Sequence, residues 1–128
     1  MLWNFLIVDD SKTLRVLVRR VLTLSSLAIG QIYEAGNGKE AIEILHREHI
    51  DMVLADLNMP GMTGRELVEY VRGVAALAST RILIMTTERS QPKLLALQAL
   101  GINGYLTKPF GPEQLRDMVL ELANKSTE

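Results

Sequence analysis

The chain has 128 residues, of which 48% are hydrophobic and 23% charged, with a net charge of −1. These values fit one domain around one core and leave no broad basic surface for direct nucleic-acid binding. There are no cysteines, which excludes disulfides, thiolate metal sites and cysteine nucleophiles and fits the cytoplasm. No apolar run is long enough to span a membrane, and the apolar start has no basic leader before Asp9 and Asp10, so a secretory signal is not expected.

Short apolar runs alternate with longer helical patterns. Trp3 to Val8, interrupted only by Asn4, reads as a buried first strand, with Trp3 packing at its start. Ser11 to Leu24 follows with Leu14, Leu17, Val18, Val21 and Leu22 on one side, which is helix spacing. Gln31 to Ala35 is the second strand, Asn37-Gly38 a break, and Lys39 to Glu48 the second helix. Asp51 to Ala55 is the third strand. Pro60, Gly61 and Gly64 mark a loop, Thr63 is a candidate cap, and Arg65 to Arg72 is helical. Arg81 to Thr86 is the fourth strand, and Pro92 opens a helix that runs to Leu100 and closes on Gly101. Gly104 to Thr107 is the fifth strand, and Pro112 opens a last helix to about Ala123, followed by a polar end expected to fray.

Five strand–helix units argue for an α/β fold, an open doubly wound parallel sheet with helices on both faces. A barrel would need eight units. Ligands of such sheets lie beyond the carboxyl ends of the strands, where the strand order reverses. There the sequence places Asp9 and Asp10 after the first strand, Asp56 after the third, Thr86 and Thr87 after the fourth and Lys108-Pro109 after the fifth. The second strand ends in Ala35-Gly36, with no reactive group.

Three carboxylates in one place repel unless something positive lies among them. Lys108 supplies one charge, and a hard divalent cation supplies more. Oxygen donors without histidine or cysteine point to Mg2+. A carboxylate, a magnesium site, a lysine and a hydroxyl form a set for phosphoryl transfer, with Asp56 the candidate nucleophile. Singly, each element has a plainer reading: an Asp pair caps a helix, and an Asp before Pro-Gly makes a turn. Their joint order on one sheet edge carries the functional reading. His46 and His49, three apart on the second helix, have no third ligand apart from neighbouring Glu43 and Glu48 and read as a solvated face rather than a metal site.

The stretches Phe5 to Ser11, Asp56 to Gly64 (DLNMPGMTG), Ile84 to Glu88 and Gly104 to Phe110 (GYLTKPF) resemble the receiver domains of two-component response regulators, most closely the single-domain chemotaxis regulators. The resemblance spans residues 1–128 and implies the flavodoxin-like strand order 2-1-3-4-5, known from the chemotaxis receiver. It implies that Asp56 is the phosphoacceptor. It implies a Mg2+ held by Asp10 and Asp56 carboxylates, by the Asn58 main-chain carbonyl and, through water, by Asp9. Lys108 would pair with a phosphoryl oxygen and with Asp56, Thr86 would bond another oxygen, Thr87 would offer its backbone N–H, and the Asn58 backbone would also bind the phosphoryl group. Tyr105 matches an aromatic switch position, and the Lys108-Pro109 bond would be cis. The protein would then take its phosphoryl group from a histidine kinase or phosphotransfer protein. It would catalyse only its own phosphorylation and dephosphorylation.

A downstream protein target would be read by the face of the fourth helix, fifth strand and fifth helix, with no nucleic acid or membrane involved. The state expected is a monomer or a weak phosphorylation-dependent dimer. Leu94, Leu95, Leu97 and Leu100 spread around the fourth helix, and an exposed docking or dimerisation surface is expected there, with Leu97 as the residue to test. Thr63 stands where many relatives carry aspartate, and Thr87 is bulkier than the usual small residue. The short tail favours a stand-alone receiver; the alternative is a receiver cut from a longer regulator with a DNA-binding or enzymatic output. A phosphatase with an aspartyl-phosphate intermediate is a third reading. Such enzymes place an acid two residues after the nucleophile, where this chain has Asn58.

Overall fold

The computed structural model describes residues 1–125. Five parallel strands, β1 (Trp3–Val8), β2 (Ile29–Ala35), β3 (Met52–Asp56), β4 (Arg81–Thr86) and β5 (Gly104–Thr107), form one sheet in the order β2-β1-β3-β4-β5. The helices are α1 (Lys12–Leu24), α2 (Gly38–Arg47), α3 (Gly64–Gly73), α4 (Gln91–Leu100) and α5 (Pro112–Asn124). Fold class and strand order are those expected, and the order reverses between β1 and β3.

Side-chain alternation along the strands splits the core into two layers. Leu6, Val8, Val53, Ala55, Ile82 and Ile84 face the side covered by α2, α3 and α4. Phe5, Ile7, Met52, Leu54, Leu83, Met85 and Leu106 face the side covered by α1 and α5. Full burial of one such side chain contributes about 1.5–3 kcal/mol.

The helix starts follow local rules. Ser11 Oγ accepts the Leu14 N–H at 3.2 Å, and Asn37 Oδ1 accepts that of Glu40 at 2.9 Å. Thr63 caps α3 in a reciprocal box: its hydroxyl accepts from Glu66 N–H at 3.2 Å, and Glu66 Oε1 accepts from Thr63 N–H at 3.0 Å. Threonine thus does the capping that an aspartate would do. Gly101 closes α4 at φ 106°, in the left-handed region that glycine adopts freely.

Several boundaries differ from those read in the sequence. β2 begins at Ile29, because Trp3 N–H bonds the Ala28 carbonyl and the pairing starts earlier than the apolar run. β3 runs one residue further, through Asp56, which pairs with Met85. Pro92 is the second residue of α4, after Gln91. A short 3-10 turn at Ala75–Leu77 lies between the expected third helix and fourth strand. Asn124 still belongs to α5, and the Lys125 carbonyl accepts a bond from Arg81, so these two residues are not a frayed end. The rest of that expected end, residues 126–128, lies outside the described residues.

The fourth helix needs the largest correction. Leu94 and Leu97 are buried, Leu100 is half-buried, and only Leu95 is well exposed, at 59%. Leu97 therefore belongs to the core and cannot probe a surface. Four leucines around a helix looked like an excess of apolar surface, but two of them fill the space against α3 and the sheet.

Candidate functional site

Strand parity builds the site. Ile7, Leu54 and Leu106 all face the α1/α5 layer. Two residues further along each strand stand Asp9, Asp56 and Lys108, so the same alternation sends these three side chains to one side of the carboxyl edge. The register continues the convergence: Val8 pairs with Ala55, which brings Asp9 level with Asp56. Lys108 lies beyond Leu106, the partner of Met85, and its long stem reaches back.

Lys108 Nζ lies 3.5 Å from Asp9 Oδ2 and 3.4 Å from Asp56 Oδ1. Ligand atoms of Asp9, Asp10 and Asp56 lie within 4.8 Å of one another. Asp9 and Asp56 are buried and Asp10 is exposed. Burial pushes the Asp9 carboxyl above its ordinary range, more than the Ser11 N–H and the Lys108 charge pull it down, and Asp56 adds to the rise. One ammonium thus meets two carboxylates of a cluster of three.

This donor set fits a hard divalent cation. It consists of oxygens only, is under-neutralised, and has an open side at Asp10. It is the only group of three or more acidic, histidine or cysteine residues with such geometry among the described residues. His46 and His49 are both exposed, as a solvated face would be, and they take separate partners. His46 Nε2 meets the Tyr70 hydroxyl, joining α2 to α3. His49 lies beyond the end of α2, and its Nε2 is 2.9 Å from Asp51 Oδ1.

Asp56 Oδ1 also accepts the Asn58 N–H at 3.2 Å. Among the described residues, no hydrogen bond falls on Asp56 Oδ2. The loop after β3 is held close by Gly64, whose N–H donates to Leu57 O at 2.8 Å. A Cβ at Gly64 would lie 2.5 Å from the Asp56 carbonyl oxygen and 2.7 Å from Leu57 Cα. Gly64 reads in the sequence as a loop marker, but it starts α3 and permits this close approach.

Thr86 follows the opposite parity. Ile84 faces the α2/α3/α4 layer, and so does Thr86, which is fully buried. Its hydroxyl accepts the Glu88 N–H at 2.9 Å. Ile84 pairs with Tyr105, which is half-buried against the same layer. Thr86 and Tyr105 thus share a face, two positions apart in the ladder. Thr87 is exposed and lines a cavity of about 420 Å3 with Lys108, Leu14, Leu17, Pro109 and Phe110. Asn58, also exposed, lines another of about 470 Å3 with Glu88, Lys93 and Leu97. The Lys108-Pro109 bond is cis.

One contributor was not visible in the sequence. The guanidinium of Arg15 donates from Nη1 to the Asp9 carbonyl at 2.5 Å and from Nε to Glu34 Oε1 at 3.1 Å. Arg15 lies outside the apolar set of α1, and nothing local shows that it turns toward the end of β1.

Among the described residues, no helix is long and apolar enough to cross a membrane. Residues 5–120 match the response regulator receiver domain family. The chemotaxis protein CheY of Pseudomonas aeruginosa is 34% identical over 116 residues, covering 91% of this chain and 92% of that protein. A CheY homolog of Campylobacter jejuni is 35% identical over 115 residues, with 89% and 87% covered. Among solved structures, the chemotaxis response regulator CheY4 of Vibrio cholerae superposes with a TM-score of 0.86 at 35% identity, covering 95% of this chain and 99% of that one. With this sheet order, this carboxyl-edge arrangement and these similarities, the chain belongs to the response regulator receiver domain family.

Proposed function

We propose that this chain, as one receiver domain over residues 1–128, is a cytoplasmic phosphorylation switch with Asp56 as its phosphoacceptor. The observation that carries this reading is the convergence of Asp9, Asp10 and Asp56 within 4.8 Å, with Lys108 shared between the two buried acids. Asp56 Oδ2 attacks the phosphorus of a phosphohistidine on a histidine kinase or phosphotransfer protein. The new P–O bond forms as the P–N bond breaks, and the imidazole leaves with its proton. Little covalent help is needed, so positioning and charge neutralisation dominate.

Asp10 and Asp56 would hold Mg2+ through carboxylates, Asn58 through its carbonyl and Asp9 through water; when bound, the ion supplies the positive charge that Lys108 alone does not. Lys108 meets a phosphoryl oxygen, and the Thr87 N–H meets another. The Asn58 N–H holds Asp56 Oδ1 at 3.2 Å.

Switching follows from Thr86 and Tyr105. A phosphoryl group adds nearly two charges and strong acceptor oxygens. Thr86 gives up the Glu88 N–H and turns toward them, and Tyr105, on the same face, takes the space it leaves. Phosphorylation biases two states that already exist. The face of α4, β5 and α5 then binds a downstream protein, with a chemotaxis component the candidate given by the relatives.

The test is labelling with acetyl phosphate or phosphoramidate in Mg2+, read by a phosphate-affinity gel. Wild type takes one phosphoryl group and Asp56→Asn takes none. An asparagine variant labelled as well as wild type would overturn the assignment. Capture of partners by the beryllium-fluoride form, against the untreated form, then identifies the output.

A further inference from the structure

We propose that Arg15, anchored by Glu34, is a positioning residue that fixes the direction of Asp10 by clamping the peptide between the two acids; this rests on the reading of the acid cluster as a Mg2+ site. The Asp9 carbonyl and the Asp10 nitrogen belong to one planar peptide unit. An oxygen held in that unit therefore sets the plane from which the Asp10 side chain departs. Arg15 Nη1 holds that oxygen at 2.5 Å.

The rest of Asp9 is also tied. Its N–H donates to Ala35 O at 3.0 Å, its Oδ1 accepts from Ser11 N–H at 2.8 Å, and its Oδ2 faces Lys108. The carbonyl lies beyond the last β1 residue and before the first residue of α1, where neither element supplies a donor. Arg15 fills that gap from one turn inside α1.

The guanidinium is itself held. Its side chain is only 18% exposed, and Glu34 takes Nε of Arg15 on one oxygen and Nε of Arg19 on the other, at 3.1 and 2.7 Å. A planar fork can bond a carboxylate and a carbonyl at once, which a lysine ammonium on a flexible stem does less well. In this way β2, which has no reactive group at its carboxyl end, acts on the site through Glu34. Asp10, the exposed acid of the cluster, gains a fixed departure direction although, among the described residues, no hydrogen bond or ion pair holds its own carboxylate.

The experiment is a Mg2+ titration by calorimetry and amide chemical shifts on the full chain. The variants are Arg15→Ala, Arg15→Lys, Glu34→Gln and Arg19→Ala, each checked for folding by circular dichroism. Loss of groups that orient metal ligands costs about 10–100-fold in affinity. Arg15→Ala is expected to weaken Mg2+ binding about tenfold. Its labelling rate should fall at limiting Mg2+ and recover at saturating Mg2+, since Asp56 and Lys108 are intact. Arg15→Lys falls between Arg15→Ala and wild type, and decides the matter should the alanine variant fail to fold. Arg19→Ala breaks the other Glu34 pair without touching Asp9 and keeps affinity within about twofold, below any loss of an orienting group.

Wild-type affinity in a folded Arg15→Ala or Arg15→Lys, or an equal loss in Arg19→Ala, overturns the proposal. Wild-type protein that takes up neither Mg2+ nor label instead overturns the reading of the acid cluster beneath it.

Discussion

Gly64 offers the sharpest quantitative test, because its reason for being glycine is a close approach and not a special backbone angle. Gly64→Ala places a Cβ 2.5 Å from the Asp56 carbonyl oxygen and 2.7 Å from Leu57 Cα. Both neighbours are backbone, so no side chain can swing away. Relief needs a shift of nearly an ångström in the segment that carries Asp56, or in the start of α3. Overpacking of this kind costs about 1–3 kcal/mol, and rigid neighbours place it at the upper end. Alanine's better helix propensity returns about 1 kcal/mol at most. The net expectation is a loss of about 2 kcal/mol.

Gly73, at the other end of the same helix, is the control. A Cβ there meets nothing within 4 Å, so Gly73→Ala is expected to stabilise by about 0.5–1 kcal/mol. Urea unfolding of both variants, with Mg2+ affinity measured alongside, gives the comparison. Gly64→Ala should lower the midpoint and, with the proposed Mg2+ site, weaken Mg2+ binding together, because Asp56 and Asn58 move with the loop. A Gly64→Ala protein as stable as Gly73→Ala would refute the packing argument.

Burial raises the Asp9 carboxyl in the folded protein, so its ionised form is less favourable there than in the unfolded chain, and the stability lost grows as pH rises from about 3.8 through the folded value. Asp9→Asn should therefore raise the melting temperature at neutral pH without Mg2+, an advantage that fades below that window; thermal melts across pH that show no such gain would contradict the burial argument. Arg81 donates to the Leu122 and Lys125 carbonyls at 2.8 Å each and lies 5.0 Å from the Trp3 ring centroid. Arg81→Ala is expected to cost roughly 2 kcal/mol in urea unfolding and to change Trp3 emission in the folded state. In α4, Leu97→Ala should cost about 2–5 kcal/mol, whereas Leu95→Ala stays within about 0.5 kcal/mol in stability; equal losses would mean that the helix packs by a different face.

The acids and the lysine that the structure brings together were legible because each sits where a local pattern ends. One apolar run of strand length stops at Asp9, another at Asp56, and the short fifth strand stops at Lys108, which put all three on one edge of the sheet. Capping residues and glycines marked most helix ends for the same reason, since those signals act over three or four residues. Contacts between distant segments were not legible. Arg15 and Glu34 look like ordinary surface charges in sequence, and only the pairing of β1 with β2 beside α1 brings them to the Asp9 carbonyl. Leu97 and Leu95 differ in nothing local, and the packing of α4 against α3 and the sheet decides which is core. Gly64 looks like a turn glycine until the chain after β3 folds back on it. Periodicity and turn chemistry are properties of neighbours along the chain. Which side chain meets a carbonyl many residues away depends on strand order and register, and those exist only once the sheet has formed.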